Sequence, residues 1–584
     1  MTFYRRMICP GLLALSLVLA GGAASAQSPS PAKKGAAAQP QAGSDIFLDT
    51  VNVSVVNVDV YVTDKSGKRV SGLTRDDFEV FENNKPVAIS NFYAVEAGKV
   101  TAGLEDAPPL PAPALPPGVT PPPGSEPRQP IPEDQRLRLV IYIDNFNLTP
   151  FNRNRVMREI RVFLDNNIGR DDQVMLVTYD RSLKVRRPFT SDPDLINASL
   201  LELEKVTGAA VHQISDRRSV LKEIEDSQSA QEAIGHARMY AQSVYNDLSF
   251  SIDGLKNTVN SLAGMPGRKA ILYVSEGLPM TAAQDVFYAV QEKYAQGSAL
   301  TEAFQYDASR RYNELAAQAN ANRITFYAVD AGGLRTYESV SAENQGPGMG
   351  VMVDSMNISN LQSSMQFMAE KTGGTAILNS NVVMPQLEKI ARDFNTYYSI
   401  GYSPPHYGDG RFYKIEVKVK GRKGLTVRHR EGYRDKSPDA RMTDGTLATL
   451  QFPYQDNPLG IDIAFGAATQ RADGFYLVPV EVRIPLGKLT LVPRDATHEG
   501  RVRVYIGAID SKGDTSEVQQ TPLPISVPAA DADAATGKNF VYSVNLLMRG
   551  GEHRVGVGVR DELAGQASFL SRGVRIGNRV PAGR

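Results

Sequence analysis

From Val51 to Val62 the chain alternates valine with polar residues, the two-residue period of a strand with one buried face. Asp64-Lys65-Ser66-Gly67 reads as a turn. Phe78 to Glu82 and Val87 to Phe92 read as a hairpin closed at Asn83-Asn84. These patterns predict a small β module over 45–97.

From Leu137 the pattern changes to apolar runs of strand length alternating with helical stripes, the signature of a mainly parallel sheet covered on both faces. Leu139 to Ile143, Val174 to Thr178, Ala270 to Ser275, Ile324 to Asp330 and Ala376 to Leu378 are the expected strands. The first helix carries Val156, Ile160, Phe163 and Leu164 on one face and ends at Gly169. Asp192 and Pro193 suit the cap and first turn of a second. Ser227 to Leu262 reads as one long helix, Gln284 to Asn320 as partly a surface insertion, and Leu361 to Lys371 and Leu387 to Phe394 as the last two helices. The expected fold class is therefore α/β, a doubly wound, mainly parallel sheet of Rossmann type, spanning 135–395.

Tyr397 to Tyr402, Phe412 to Val419 and Leu425 to His429 return to β alternation over 396–436. Because this stretch and 45–97 flank the α/β domain, the two are expected to pair into one β unit from which that domain is an insertion. A polar break around Ser437 to Thr446 suggests a linker over 437–449. Beyond it only β signals remain, and short strands between turns suggest a sandwich over 450–584.

The proline-rich stretch within 98–134 cannot complete ladder or helix hydrogen bonds and reads as an extended spacer, the alternative being a polyproline ligand. At the other end, Arg5-Arg6, the apolar run Leu12 to Ala20 and the small residues Ala24-Ser25-Ala26 have the order of a secretory signal peptide over 1–26. That run is shorter than a bilayer span, and a low-complexity leader of alanine, proline and serine follows it over 27–44. Cys9, the single cysteine, lies inside the signal segment, so cleavage would leave a chain with neither thiol nor disulfide. The expected address is periplasm, cell surface or medium, with no integral membrane segment after cleavage.

Charge narrows the partners. Lysine plus arginine (64) equals aspartate plus glutamate (64), so no net field draws the chain to nucleic acid. The densest basic stretch, from Lys418 to Arg430, reads as the solvated face and turn of a hairpin. Catalytic patterns are missing: there is no Walker loop, no His-Glu-x-x-His and no Gly-x-Ser-x-Gly, and the six histidines show no ligand spacing. Gly346 to Gly350 reads as a loop and not a phosphate cradle.

Asp144 directly after the first buried strand, and Ser275-Glu276-Gly277 after a later one, stand in an order that resembles a von Willebrand factor type A domain. Val58 to Asp64, Gly72-Leu73-Thr74, Asp77 to Val80, Tyr327 to Asp330, Thr372-Gly373-Gly374, Tyr397 to Tyr402 and Arg430 to Tyr433 extend the likeness. With them, roughly 45–435 is similar to bacterial exported proteins related to that domain. The resemblance implies a divalent cation, Mg2+ or Ca2+, held by an Asp-x-Ser-x-Ser loop, a threonine loop and a third-loop aspartate, with a partner's carboxylate completing the shell. Here the two serine positions are Phe146 and Leu148, no threonine follows the glycine in Thr207-Gly208-Ala209-Ala210, and Glu276 replaces the aspartate. Asn147 and Thr149 lie one residue out of register, so a metal would fall to Asp144, Asn147, Thr149 and Glu276. The other reading leaves Asp144 and Glu276 as loop-capping carboxylates.

Asp144, Asp180, Glu276 and Asp330 each follow or end a strand, and in an open α/β sheet those ends share one edge. With Asn147 and Thr149 they define a partner-binding face. The expected function is a non-enzymatic, exported interaction, scaffold or adhesion protein that contacts another protein. The alternatives are a divalent-cation-responsive binding protein and an envelope hydrolase using Asp144 with Glu276.

Overall fold

The computed structural model describes residues 55–96, 98–102, 136–169, 172–208, 210–295, 297–335, 350–452 and 455–577. The signal segment, the leader, 103–135 of the proline-rich stretch and Gly346 to Met349 lie outside them.

The front module contains β1 (Val56–Thr63), β2 (Phe78–Glu82), β3 (Lys85–Val87), β4 (Ile89–Glu96) and β5 (Lys99–Ala102). Asn83 and Asn84 both have positive φ in the β2–β3 turn, a conformation asparagine tolerates better than most residues. The last strand occupies the start of the stretch read as spacer.

The α/β domain contains β6 (Leu137–Asp144), α1 (Pro150–Asn167), β7 (Gln173–Tyr179), β8 (Leu183–Thr190), α2 (Pro193–Leu203), α3 (Ala210–Asp226) and α4 (Ala230–Ser261). It continues through β9 (Arg268–Ser275), α5 (Gln284–Tyr294), α6 (Ser298–Ala303), α7 (Ser309–Ala321), β10 (Ile324–Asp330), α8 (Val351–Lys371), β11 (Ala376–Ile377) and α9 (Met384–Asn395). Its six-stranded sheet has the order β11-β10-β9-β6-β7-β8, parallel except for the antiparallel edge strand β8.

Every residue of β6 is buried, and the pleat divides them between two cores. Leu139, Ile141 and Ile143 join the cluster built with α1, α2 and α9, whereas Val140 and Tyr142 join that of α4, α7 and α8. Helices thus cover both faces of a parallel-rich sheet. A third cluster joins α3, the first half of α4, α5 and α6 into a helical lobe. That lobe takes in more of the chain than the insertion read from Gln284 to Asn320. Helix α3 escapes the periodicity reading because one of its inward residues is Arg217, which is neutralised by Asp285 at 2.7 Å and Asp354 at 3.1 Å.

After α9 come β12 (Tyr397–Tyr402), β13 (Phe412–Val419), β14 (Thr426–Arg428) and β15 (Gly432–Arg434). β12 lies between β1 and β4, and β13 between β2 and β15, all antiparallel. Two sheets, β14-β1-β12-β4-β5 and β15-β13-β2-β3, therefore draw on both flanks of the α/β domain and enclose one core of Val58, Val60, Phe78, Tyr398, Ile400 and Ile415. Arg268 ties this unit to the base of the α/β sheet. It donates to Asp59, to the Tyr61 hydroxyl and to the Asp393 and Phe394 carbonyls, and its guanidinium lies 3.5 Å from the Tyr397 ring centroid.

Gly373 and Gly374 mark a second junction. A Cβ on Gly374 would sit 1.9 Å from the Phe326 carbonyl oxygen, and Gly373 has φ +83° with the His429 backbone against it. The Thr372 hydroxyl accepts the Phe326 amide at 2.9 Å.

Two readings are corrected here. Residues 437–449 form no linker. They lie in helix α10 (Pro438–Gln451), capped by Ser437, with Met442, Gly445, Thr446 and Thr449 buried. Its buried face is too poor in large apolar residues to register as a hydrophobic stripe, because it meets glycines: a Cβ on Gly558 would lie 2.5 Å from the Thr446 hydroxyl. Nor is the basic stretch a uniformly solvated face. Lys418, Lys420, Arg422 and Lys423 are exposed, but Arg428 donates to the Gly373 and Gly374 carbonyls and to Asp393, and Arg430 donates to the Asn320 and Asn57 carbonyls.

The C-terminal part contains β16 (Asp462–Phe465), β17 (Thr469–Gln470), β18 (Tyr476–Pro485), β19 (Val492–Arg494), β20 (Thr497–Asp510), β21 (Gln519–Pro528), β22 (Asn539–Met548), β23 (Gly551–Asp561) and β24 (Ala567–Ile576). β16, β17 and β22 pair with β18, while β19, β21 and β23 pair with β20 and β24 with β23, around a shared apolar core. Sequence pattern does not mark β21 as a strand because it carries Pro522, Pro524 and Pro528. It pairs with β20 alone, as an edge strand can.

Candidate functional site

Parallel pairing brings the last residues of β6, β9 and β10 to one edge of the sheet, so Asp144, Ser275 and Asp330 arrive together although far apart in sequence. Asp144 caps a single 3-10 turn, Asn145–Asn147, and is 1% exposed. Its carboxylate is enclosed by donors. The Asn147 side-chain amide reaches its two oxygens at 3.0 and 2.9 Å and the Asn147 backbone N–H reaches Oδ1 at 3.3 Å. The Tyr273 and Ser275 hydroxyls reach Oδ2 at 2.6 and 3.2 Å. Burial raises its pKa to about 6, against the opposing pull of the Tyr273, Asn147 and Ser275 hydrogen bonds.

Glu276 holds a separate cluster. Its Oε1 accepts the Thr149 hydroxyl at 2.5 Å, the Thr149 backbone N–H at 2.8 Å and the Asn152 amide at 3.0 Å, which fixes the N-terminus of α1. Asp330 is buried, its Oδ1 accepting the Gly332 N–H and the Arg335 guanidinium and its Oδ2 the Gln362 amide at 2.8 Å. Arg335 also donates to the Glu276 carbonyl, linking the two clusters. Asp180 stands apart, exposed in the β7–β8 turn, with no side-chain bond to the others.

The residues at these positions do not fit a hard cation, which needs about six to eight oxygen ligands. Phe146 is 4% exposed and packs edge-on against Tyr179, and Leu148 is fully buried in the core beneath α1. Asn147 turns its NH2 group to Asp144 while its oxygen accepts from Gln213 at 3.3 Å, and the Thr149 hydroxyl is spent on Glu276. The four residues named for a metal thus divide into two internally bonded pairs.

Tyr273, Asn152, Arg335, Gln362 and Gln213 complete the site, and no sequence motif singles them out. Tyr273 is accessible in principle, since it shares a strand face with Ser275 two residues on, and Asn152 lies one helical turn from Thr149. The other three reach the edge from loops and helices whose approach no local pattern encodes.

Three exposed apolar side chains ring the same edge. Phe151 (78% exposed) opens α1, Leu334 (64%) follows β10, and Val382 (59%) follows β11. Their segments are bound to one another: the Leu334 N–H reaches Asn381 Oδ1 at 2.9 Å, and Arg155 donates to the Asn381 and Ala331 carbonyls.

Elsewhere, His406 departs from the picture of scattered histidines. Its Nε2 lies 2.9 Å from Glu82 and its Nδ1 3.0 Å from Asp435, while its ring stacks on Tyr413 at 3.5 Å. Glu82 also accepts the Tyr402 and Tyr433 hydroxyls. Nearby, Asp409 is occupied by the Tyr413 hydroxyl.

No family model and no curated protein matches this chain. Among solved structures, BatB from Bacteroides thetaiotaomicron is 12% identical with a TM-score of 0.21, covering 44% of this chain and 96% of its own. A von Willebrand factor type A protein from Catenulispora acidiphila is 10% identical with a TM-score of 0.20, covering 76% and 66%. Manganese-loaded TRAP protein from Plasmodium vivax is 8% identical with a TM-score of 0.21, covering 51% and 94%. At such identities and scores these likenesses do not establish a family.

Proposed function

We propose that this chain is an exported, non-enzymatic interaction scaffold whose central domain is a doubly wound, degenerate von Willebrand factor A-like fold that contacts a protein partner without a divalent cation. The observation that carries this reading is the state of the sheet edge: Asp144 and Asp330 accept donors from the chain on both carboxylate oxygens, Glu276 accepts three on Oε1, and Phe151, Leu334 and Val382 stand exposed beside them. Asp144 and Asp330, engaged in this way, offer neither an open metal position nor a free base, whereas exposed apolar side chains on braced loops supply contact area at small ordering cost. A hydrolase using Asp144 with Glu276 would need Asp144 released from these bonds.

The test is cross-linking capture from envelope extract by the full mature chain, in magnesium and in EDTA, compared with Phe151→Ser/Val382→Ser. Capture should survive EDTA and fail in the double variant, whose exposed positions cost little stability. Loss of capture in EDTA, or capture unchanged by the double variant, would overturn the reading.

A further inference from the structure

We infer that the cleft where the β unit, the base of the α/β sheet and α10 meet binds a small polyvalent oxyanion, a site independent of the proposed partner face. The cleft has a volume of about 460 Å³, within the range of small-molecule sites at roughly 300–1,000 Å³. It lies at the opposite edge of the sheet. Lys269 stands near the start of β9 and Ser275 ends it, a separation of about 20 Å at strand rise.

The lining is strongly one-signed. The α/β domain contributes Lys269 and Arg323, the β14–β15 connection contributes Arg430, and β15 contributes Arg434. Lys436 and Arg441 come from the approach to α10 and from its first turns, and Arg560 comes from β23. Asp444 is the only carboxylate among these lining residues. Carboxylates beside the cleft are shared with cations outside it. Lys436 pairs with Asp444, Arg441 with Asp435, and Arg323 with Asp59, but Asp435 is shared with His406 and Asp59 with Arg268. Among the described residues Arg434 and Arg560 have no ion pair, and Arg430 is bonded only to carbonyls.

Lys269 is the most telling member. It is 6% exposed, lines the cleft, and its ammonium donates to a single acceptor among the described residues, the Met265 carbonyl at 2.6 Å. Burial, followed by the charges of Arg323, Arg138, Lys436 and Arg430, holds its pKa well below the ordinary range. Such a concentration of cations around a desolvated amine works against folding unless an anion enters. Guanidinium forks select oxyanions, which they bind in pairs of parallel hydrogen bonds. Tyr407, Met442 and Phe569 on the same walls add apolar surface for an organic group bearing the charge.

The test is calorimetry and thermal melting of the full mature chain with pyrophosphate, with citrate and with sodium chloride at matched ionic strength. At least one oxyanion should bind at one site per chain and raise the Tm beyond the chloride control, and the tighter of the two identifies phosphate or carboxylate as the group recognised. Arg434→Gln/Arg560→Gln removes two unpaired charges at half-exposed or exposed positions and should weaken binding by roughly tenfold or more, with the unliganded Tm nearly unchanged. Lys269→Met should raise the unliganded Tm while also weakening binding, a combination that a purely structural lysine would not produce. Absence of heat and of any Tm gain over chloride for both oxyanions would overturn the inference, as would binding unaltered in the arginine double variant.

Discussion

Asp144→Asn tests the reading of the sheet edge most directly. Asp144 is 1% exposed, and its pKa stands at about 6 against an ordinary 3.8 because burial penalises the charged form more than its hydrogen bonds favour it. Folding therefore favours the protonated carboxyl. The associated stability is present in full below the unfolded value and is lost as pH rises through about 6. At 1.36 kcal/mol per pKa unit the loss is about 3 kcal/mol across that window. The carboxamide at 144 cannot titrate, and the side chains touching it, Asn147, Tyr273 and Ser275, stay neutral throughout. The difference between the two proteins thus isolates this one group. Urea unfolding of both full-length chains, in EDTA, between about pH 4 and about pH 7 should show wild type losing about 3 kcal/mol relative to the variant. A flat difference would refute the assigned burial. A difference of opposite sign would show the carboxylate held ionised in the native state.

Three further outcomes follow from the packing. Arg268→Met should cost about 3–5 kcal/mol in urea unfolding, because it strips a partner from half-buried Asp59 and leaves the Asp393 and Phe394 carbonyls without the donors of a buried guanidinium; a loss below about 1 kcal/mol would contradict that role. Burial opposes the charge on His406, but the Asp435 and Glu82 hydrogen bonds outweigh it and raise its pKa above the usual 6.5. Its contribution is complete below 6.5 and lost as pH rises through the higher folded value. The melting-temperature gap between wild type and His406→Gln should therefore narrow from about pH 6 to about pH 9, and a constant gap would show that the paired charge contributes nothing. Gly374→Ala places a Cβ against the Phe326 carbonyl, so the backbone must shift at a cost of about 1–3 kcal/mol; a melting temperature equal to wild type would show that the junction yields freely.

Much of the α/β framework was legible because its strands are buried on both faces. Continuous apolar runs such as Leu139 to Ile143, separated by helical stripes, permit few other arrangements. The candidate site was legible only as positions. Asp144, Glu276 and Asp330 could be placed at strand ends from sequence, but whether they faced a cation, a partner or one another depended on Tyr273, Asn152, Arg335 and Gln362. Where a buried face consists of small or charged residues, periodicity fails. Helix α10 hides behind glycine and threonine contacts, and α3 carries a neutralised arginine.

By itself, then, the sequence determined the alternation of strands and helices and the absence of side-chain oxygens at Phe146 and Leu148, since both follow from local residue chemistry. Only the tertiary structure decided which strands of the two flanking segments lie side by side, that donors enclose Asp144 and Asp330, and that seven cationic side chains converge on one cleft. Those outcomes depend on hydrogen bonds and charges meeting across hundreds of residues, and no local period records such meetings.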